Sequence, residues 1–377
     1  MVSININVHK AKISKQTNKP DKTLFIISLA LVIAGLIAVA DASAPIGIRD
    51  FSDRFYFVKQ QIVWAGIGVL LMIIFMNVKY TIWEKLATPL FFASIVLLFL
   101  VLIPGIGTKT LGARRWIILG PMSIQPSEIV KMTLALYLAK LASKDKELLS
   151  YVIPLGITTG LIMLQPDLGT TMVVAAIGMV QIFITGVNLF KFMSLLGVGT
   201  VGAFLLILTS DYRKDRLMTF ISQSQDPLGK SYHIRQILLS LGLGGMFGVG
   251  LGESRQKYLF LPEAATDSIF AVIAEEIGFL GSMVIIILLA SYIIKSAKIA
   301  AWAPDRFSMV LAIGLTAWIG SQIFFNIGSM LAIVPLTGIP LPFFSYGGTA
   351  LSMVLFATGI LLNISKYSLT KNDKQRK

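Results

Sequence analysis

Residues 268–294 read SIFAVIAEEIGFLGSMVIIILLASYII, with the adjacent pair Glu275-Glu276 as the only charges. At 1.5 Å rise per residue a helix this long crosses a hydrocarbon core of about 30 Å. Nine further apolar runs surround it, at 23–40, 57–76, 81–103, 126–142, 150–164, 168–186, 190–209, 307–332 and 349–365. The fourth and fifth runs of the chain, 126–142 and 150–164, are short for a bilayer. The composition agrees: 55% of the 377 residues are hydrophobic and 14% are charged, against roughly 25% charged in soluble domains. A soluble enzyme, a disordered chain and a disulfide-built domain are excluded. The chain has no cysteine and two histidines, His9 and His233, which rules out thiolate metal sites and leaves too few ligands for a histidine-based one.

The net charge of +14 would point to nucleic acid in a soluble protein. Here lysine and arginine distribute as in a membrane protein, and no nucleic-acid partner is expected. With a cytoplasmic N-terminus, the inner segments carry 19 Lys and Arg residues and the short outer loops carry six, which favours N-in and C-in. The expected fold is an all-α polytopic membrane protein of about ten transmembrane helices with one large extracytoplasmic loop, 210–267. A cytoplasmic basic tail (1–22), a membrane domain (23–366) and a second basic tail (367–377) make up the chain, with the tails near anionic lipid. The first run has a rival reading as a signal peptide ending at Ala40-Asp41-Ala42-Ser43-Ala44; its apolar stretch exceeds the usual 7–15 residues, which favours a retained anchor. Within the large loop, apolar residues at 234, 237, 238 and 241 share one face of an interfacial helix. The glycine-rich run 242–252 follows no strand, so it reads as tight backbone packing and not as a dinucleotide loop.

Ionisable groups inside spans are expensive and mark candidate sites. In Gln125-Pro126-Ser127-Glu128-Ile129-Val130-Lys131, proline suits the first helical turn and Glu128 and Lys131 share a face. The bland reading is a self-neutralising pair; the functional one places both in an outer cavity. Arg114 and Arg115 beside Trp116 run against the positive-inside bias. They read either as interfacial anchors or, with Lys131, as a compact cationic pocket for a lipid-borne pyrophosphate; Arg213 and Arg216 extend it or line a solvated loop. Asp267, at the mouth of the eighth span, either caps that helix or faces the cavity. Glu275 and Glu276 point about 100° apart, so at most one faces any given cavity. The run from Pro335 to Thr349, with three prolines and three glycines, is a stiff re-entrant or interfacial loop that shapes the cavity or only packs against it.

These stretches resemble the SEDS (shape, elongation, division and sporulation) family. The motifs that carry the resemblance are Gly112 to Trp116, Gln125 to Glu128 with Lys131, Leu261-Pro262-Glu263 with Thr266-Asp267, Glu275-Glu276, and Pro340 to Gly348. They occur in the family's order across nearly the whole hydrophobic region. Gln256-Lys257-Tyr258, Tyr212 to Phe220 and Asp226-Pro227 look more like the cell-division branch, FtsW, than the elongation branch, RodA. Ala265 and Ser268 depart from the histidine or glutamine and the aromatic residue usual beside the Thr-Asp pair. The resemblance implies a peptidoglycan glycosyltransferase that polymerises lipid II at the outer face of a bacterial cytoplasmic membrane. It implies work with a class B penicillin-binding protein and other division proteins, and dependence on a divalent cation, magnesium or manganese, whose ligands the sequence does not identify. The essential aspartate falls on Asp267, read as general base. The substrate-binding set is Arg114, Arg115, Glu128, Lys131, Arg213, Arg216, Lys257, Glu263, Ser345, Gly347 and Gly348. Rival readings are a RodA-like polymerase, a flippase using Glu128–Lys131, Glu275 and Gln165-Pro166-Asp167, and a scaffold that only activates the crosslinking enzyme.

Overall fold

The computed structural model describes residues 19–110, 113–120, 122–209, 214, 218 and 232–369. Both predicted tails lie largely outside the described residues, as do most of 210–231. Twelve helices run in order among the described residues: α1 Lys22–Ala42, α2 Ala44–Phe51, α3 Tyr56–Asn77, α4 Thr81–Leu100, α5 Pro126–Ser143, α6 Leu148–Leu164, α7 Leu168–Ile184, α8 Leu189–Leu208, α9 Tyr232–Gly244, α10 Ile269–Ala301, α11 Arg306–Met330 and α12 Gly348–Ser365. Each of the ten apolar runs falls on one of these helices. Six of them (α1, α3, α4, α10, α11, α12) are long and apolar enough to cross a membrane, and α6, α7 and α8 are shorter apolar helices. Helices α5, α11 and α12 form the interior, with Val130, Leu134, Trp318 and Leu355 wholly buried. Around them α1, α3, α4 and α8 expose Ile33, Leu70, Phe92 and Phe190, an outer surface suited to lipid rather than to water.

The all-α expectation needs one correction. Between α4 and α5 the chain forms a three-stranded antiparallel meander: β1 Thr108–Thr110, β2 Ala113–Leu119 and β3 Met122–Ile124. The run Trp116-Ile117-Ile118 has high strand preference, and Gly120 takes the positive φ of +61° that the β2–β3 turn requires. The Thr349 hydroxyl donates to Ser123 O at 2.9 Å and ties the meander to the start of α12.

Helix ends collect at two poles, with α3 and α12 running side by side in the same direction. At one pole the Gln61 carboxamide of α3 donates to Ser345 O at 3.3 Å and accepts from Gly347 N–H at 3.2 Å. At the other, Asn363 Oδ1 accepts from Tyr80 N–H at 2.8 Å, and Asp21 N–H donates to Ser365 Oγ at 3.0 Å.

The run read as one continuous span from 268 is broken at Gly278, which leaves helical geometry at φ +68°. A break in a membrane helix orphans carbonyls on one side and N–H groups on the other. The glycine-rich segment after α9 supplies the partners. Val249 and Gly250 N–H donate to Glu275 O and Glu276 O, both at 3.0 Å, while Phe279 and Leu280 N–H donate to Gly245 O at 2.9 Å and Met246 O at 3.2 Å. Backbones approach so closely that a Cβ on Gly278 would lie 2.2 Å from Gly248 N, and one on Gly248 would lie 2.1 Å from Glu276 O. Gly278→Val is therefore expected to abolish the monodisperse peak of the solubilised protein in size-exclusion chromatography. Gly66→Ala, in open space on α3, should leave the peak intact and shift stability by no more than about 1 kcal/mol.

Candidate active site

The first pole holds a cavity of about 320 Å³ whose walls come from many elements. Arg115 and Trp116 enter from β2, Glu128 from α5, Asp167 and Thr170 from α7, and His233 from α9. Glu263, Thr266 and Asp267 precede α10, and Asn326, Thr337 and Gly347 belong to α11 and the loop after it.

Asp267 is held through its backbone. Helix α10 takes Ser268 as its N-cap, without a side-chain capping bond, so capping does not account for Asp267. Asn326 Nδ2 donates to Asp267 O and to Ile339 O, both at 2.8 Å. One residue back, the Ser345 hydroxyl donates to Thr266 O at 2.7 Å while accepting from Leu341 N–H at 2.7 Å. Tyr346 N–H donates to Ala265 O at 2.9 Å. The proline-rich loop is thus folded around residues 265–267. Ser268 Oγ lies 2.8 Å from His233 Nε2, and Glu263 Oε2 accepts from the Thr266 hydroxyl at 2.6 Å.

The cationic side is less concentrated than the sequence implies. Arg114 and Arg115 are neighbours on a strand and therefore point to opposite faces; Arg115 alone joins the cavity wall. Its Nε donates to Gln165 O at 3.1 Å, its Nη2 donates to Pro166 O, and Asp167 stands 3.9 Å away. Asp167 caps α7, accepting from Thr170 N–H and from the Thr170 hydroxyl at 2.9 Å each. Lys131 is sealed behind the wall, 2.7 Å from Glu128 and 5.3 Å from the Trp318 ring centroid; both members of the ion pair are about 1% exposed. The compact cationic pocket of Arg114, Arg115 and Lys131 is therefore not assembled. Among the described residues, one guanidinium shares this cavity wall with four carboxylates: Glu128, Asp167, Glu263 and Asp267.

Other predicted site residues lie elsewhere. Lys257 bridges Asp41 of α1, at 2.7 and 2.9 Å, and Glu276 of α10, at 2.8 Å. Burial opposes its charge, but hydrogen bonds to the two carboxylates outweigh that cost and hold the ammonium above its ordinary value. Glu275 accepts from Ser240 Oγ, Ser254 Oγ and Arg255 N–H at 3.0, 2.6 and 3.1 Å. Ser345 and Gly348 support the wall from behind, Gly348 against Trp64. Arg213 and Arg216 lie outside the described residues. Asn326 has no charge to mark it in the sequence, although a carboxamide within the apolar run 307–332 is the same kind of signal as a charge.

Residues 21–370 match the model of the cell cycle protein family of FtsW, RodA and SpoVE. The chain belongs to this family. Among family members, stage V sporulation protein E of Bacillus subtilis (strain 168) is 43% identical over 94% of this chain and 99% of its own length. A probable peptidoglycan glycosyltransferase FtsW of Trichlorobacter lovleyi is 39% identical, over 92% of this chain and 93% of its own. A solved chain from a peptidoglycan synthase complex that coordinates polymerization and crosslinking superposes with a TM-score of 0.75 at 28% identity, covering 92% and 97% of the two chains. The rod shape determining protein RodA of Thermus thermophilus gives 0.69 at 27% identity, covering 93% and 98%. The family resemblance stated from the sequence motifs is thus shown over nearly the whole chain.

Removing one member of a buried ion pair costs about 3–5 kcal/mol, whereas replacing both by apolar residues is often neutral. Lys131→Met should accordingly lower the melting temperature of the solubilised protein markedly, and adding Glu128→Leu in the same chain should recover most of the loss.

Proposed function

We propose that this chain is a peptidoglycan glycosyltransferase that polymerises lipid II, with the cavity at the first pole as its active site. The observation that carries this reading is that Asp267 and Arg115 line one cavity in a chain of this family, whose relatives include FtsW proteins named as peptidoglycan glycosyltransferases. Asp267 takes the proton of the acceptor sugar's 4-hydroxyl. That oxygen attacks the donor's anomeric carbon, the bond from this carbon to the diphosphate oxygen breaks, and its electron pair leaves with undecaprenyl pyrophosphate. Direct displacement inverts the anomeric centre. Arg115, anchored on two carbonyls, presents a pre-oriented guanidinium to the leaving diphosphate. Among the described residues no group of three or more His, Asp or Glu side chains could cage the expected divalent cation. The wall carboxylates other than Glu128, which Lys131 already pairs, would share such an ion with substrate phosphates and water, the usual arrangement for magnesium.

In this reading ten helices span the bacterial inner membrane, both termini are cytoplasmic, and the cavity opens outward. The resemblance to a chain from a peptidoglycan synthase complex supports a class B penicillin-binding protein as partner, and the FtsW relatives support a place in division with other division proteins. Polar walls gathered at one pole fit a polymerase better than a flippase, which needs polar groups reachable from both faces.

Purified chain with its transpeptidase should extend glycan strands from lipid II, and Asp267→Asn should slow this by about 10²–10⁴-fold. Near wild-type turnover by that variant would remove Asp267 as the base. Arg115→Ala should lower turnover on the order of tenfold or more, the value of a charged hydrogen bond. Orientation has its own check, because the chain has no cysteine. In spheroplasts, Tyr258→Cys should react with a membrane-impermeant maleimide and Lys146→Cys should react only after lysis.

A further inference from the structure

Three buried polar atoms on residues that line this cavity have no hydrogen-bond partner among the described residues: Glu128 Oε2, Asn326 Oδ1 and Thr337 Oγ1. They come from α5, α11 and the loop that follows α11. Glu128 and Asn326 are about 1% exposed and Thr337 is 5% exposed. A buried acceptor without a partner is costly, so each needs an explanation. The orientation of Asn326 is fixed. Its Nδ2 meets the carbonyls of Asp267 and Ile339, and a flipped amide would set oxygen against two carbonyl oxygens. Its Oδ1 is therefore an obligatory acceptor. The second oxygen of Glu128 is also an acceptor, but Lys131 already neutralises that carboxylate at 2.7 Å, so the position has no need of a further cation. A phosphate offers mainly acceptor oxygens and would be repelled there.

We infer that Glu128 Oε2, Asn326 Oδ1 and the Thr337 hydroxyl form a subsite for neutral hydrogen-bond donors, namely the hydroxyl and acetamido N–H groups of a sugar, while the diphosphate of the same ligand stays at Arg115. The subsite rests on the polymerase reading for the identity of that ligand, a disaccharide on undecaprenyl pyrophosphate. Asn326 then acts twice. Its amide nitrogen positions the Asp267 backbone against the loop, and its oxygen holds the sugar beside the Asp267 carboxylate.

The test is a binding measurement on the full-length solubilised chain carrying Asp267→Asn to suppress turnover, with two fluorescent probes: lipid II and undecaprenyl pyrophosphate without sugars. Thr337→Val, which keeps side-chain volume and lies outside the helices, and Asn326→Ala should each raise the Kd for lipid II by about two- to tenfold, the range of one neutral hydrogen bond. Affinity for undecaprenyl pyrophosphate should stay within about twofold, inside the same uncertainty. Equal weakening of both probes would mean a general structural defect, and unchanged lipid II binding would mean that water alone satisfies these atoms; either result overturns the subsite. If Asn326→Ala does not fold, Thr337→Val carries the measurement alone. A wild-type chain that makes no glycan strands would remove the polymerase reading, yet sugar-selective loss of binding would still uphold the subsite.

Discussion

Main-chain polar groups within a bilayer must find partners inside the protein, and this requirement organises the half of the molecule that carries Asp267. Helix α10 breaks at Gly278, and four backbone hydrogen bonds from residues 245–250 close the break. The closure fixes the short helical segment 269–277 against α9. Glu275 and Glu276 then reach residues 254–257 through Ser254, Arg255 and Lys257. Asp267 stands immediately before this braced segment, so its position derives from hydrogen-bond accounting well away from the cavity.

Among the described residues, the cavity combines an acid-rich wall with a single engaged guanidinium. That balance suits a reaction in which a neutral hydroxyl is deprotonated while an anionic group departs. The hydroxyl side needs a carboxylate and neutral acceptors; the departing side needs one fixed positive charge. Arg115 is costly to reorganise, because two carbonyls and Asp167 hold it in place. Preorganisation of this kind lets a lone charge act effectively at a partly dehydrated wall.

Much of this was legible from hydrophobic run length and from charges placed where charges are expensive. All ten apolar runs fall on helices, and Arg115, Glu128, Glu263, Asp267 and Gly347 all line one cavity. Three features escaped for physical reasons. The meander at 108–124 is too short for a period-two pattern to stand out, so Arg114 and Arg115 read as one cluster when strand alternation separates them. Lys257 has the same apparent motif context as a site residue, yet its partners Asp41 and Glu276 are distant in sequence and only the tertiary fold brings them together. Asn326 carries no charge, and its importance lies in two backbone carbonyls that no sequence pattern displays.

The Lys257–Asp41 contact joins residues 216 positions apart in the chain. During synthesis Asp41 is therefore added to the chain 216 residues before its ammonium partner. Until residue 257 is made, the Asp41 carboxylate lacks this ammonium partner. The tie between the end of α1 and the first segment of α10 is therefore complete only once Lys257 and Glu276 have both been added to the chain.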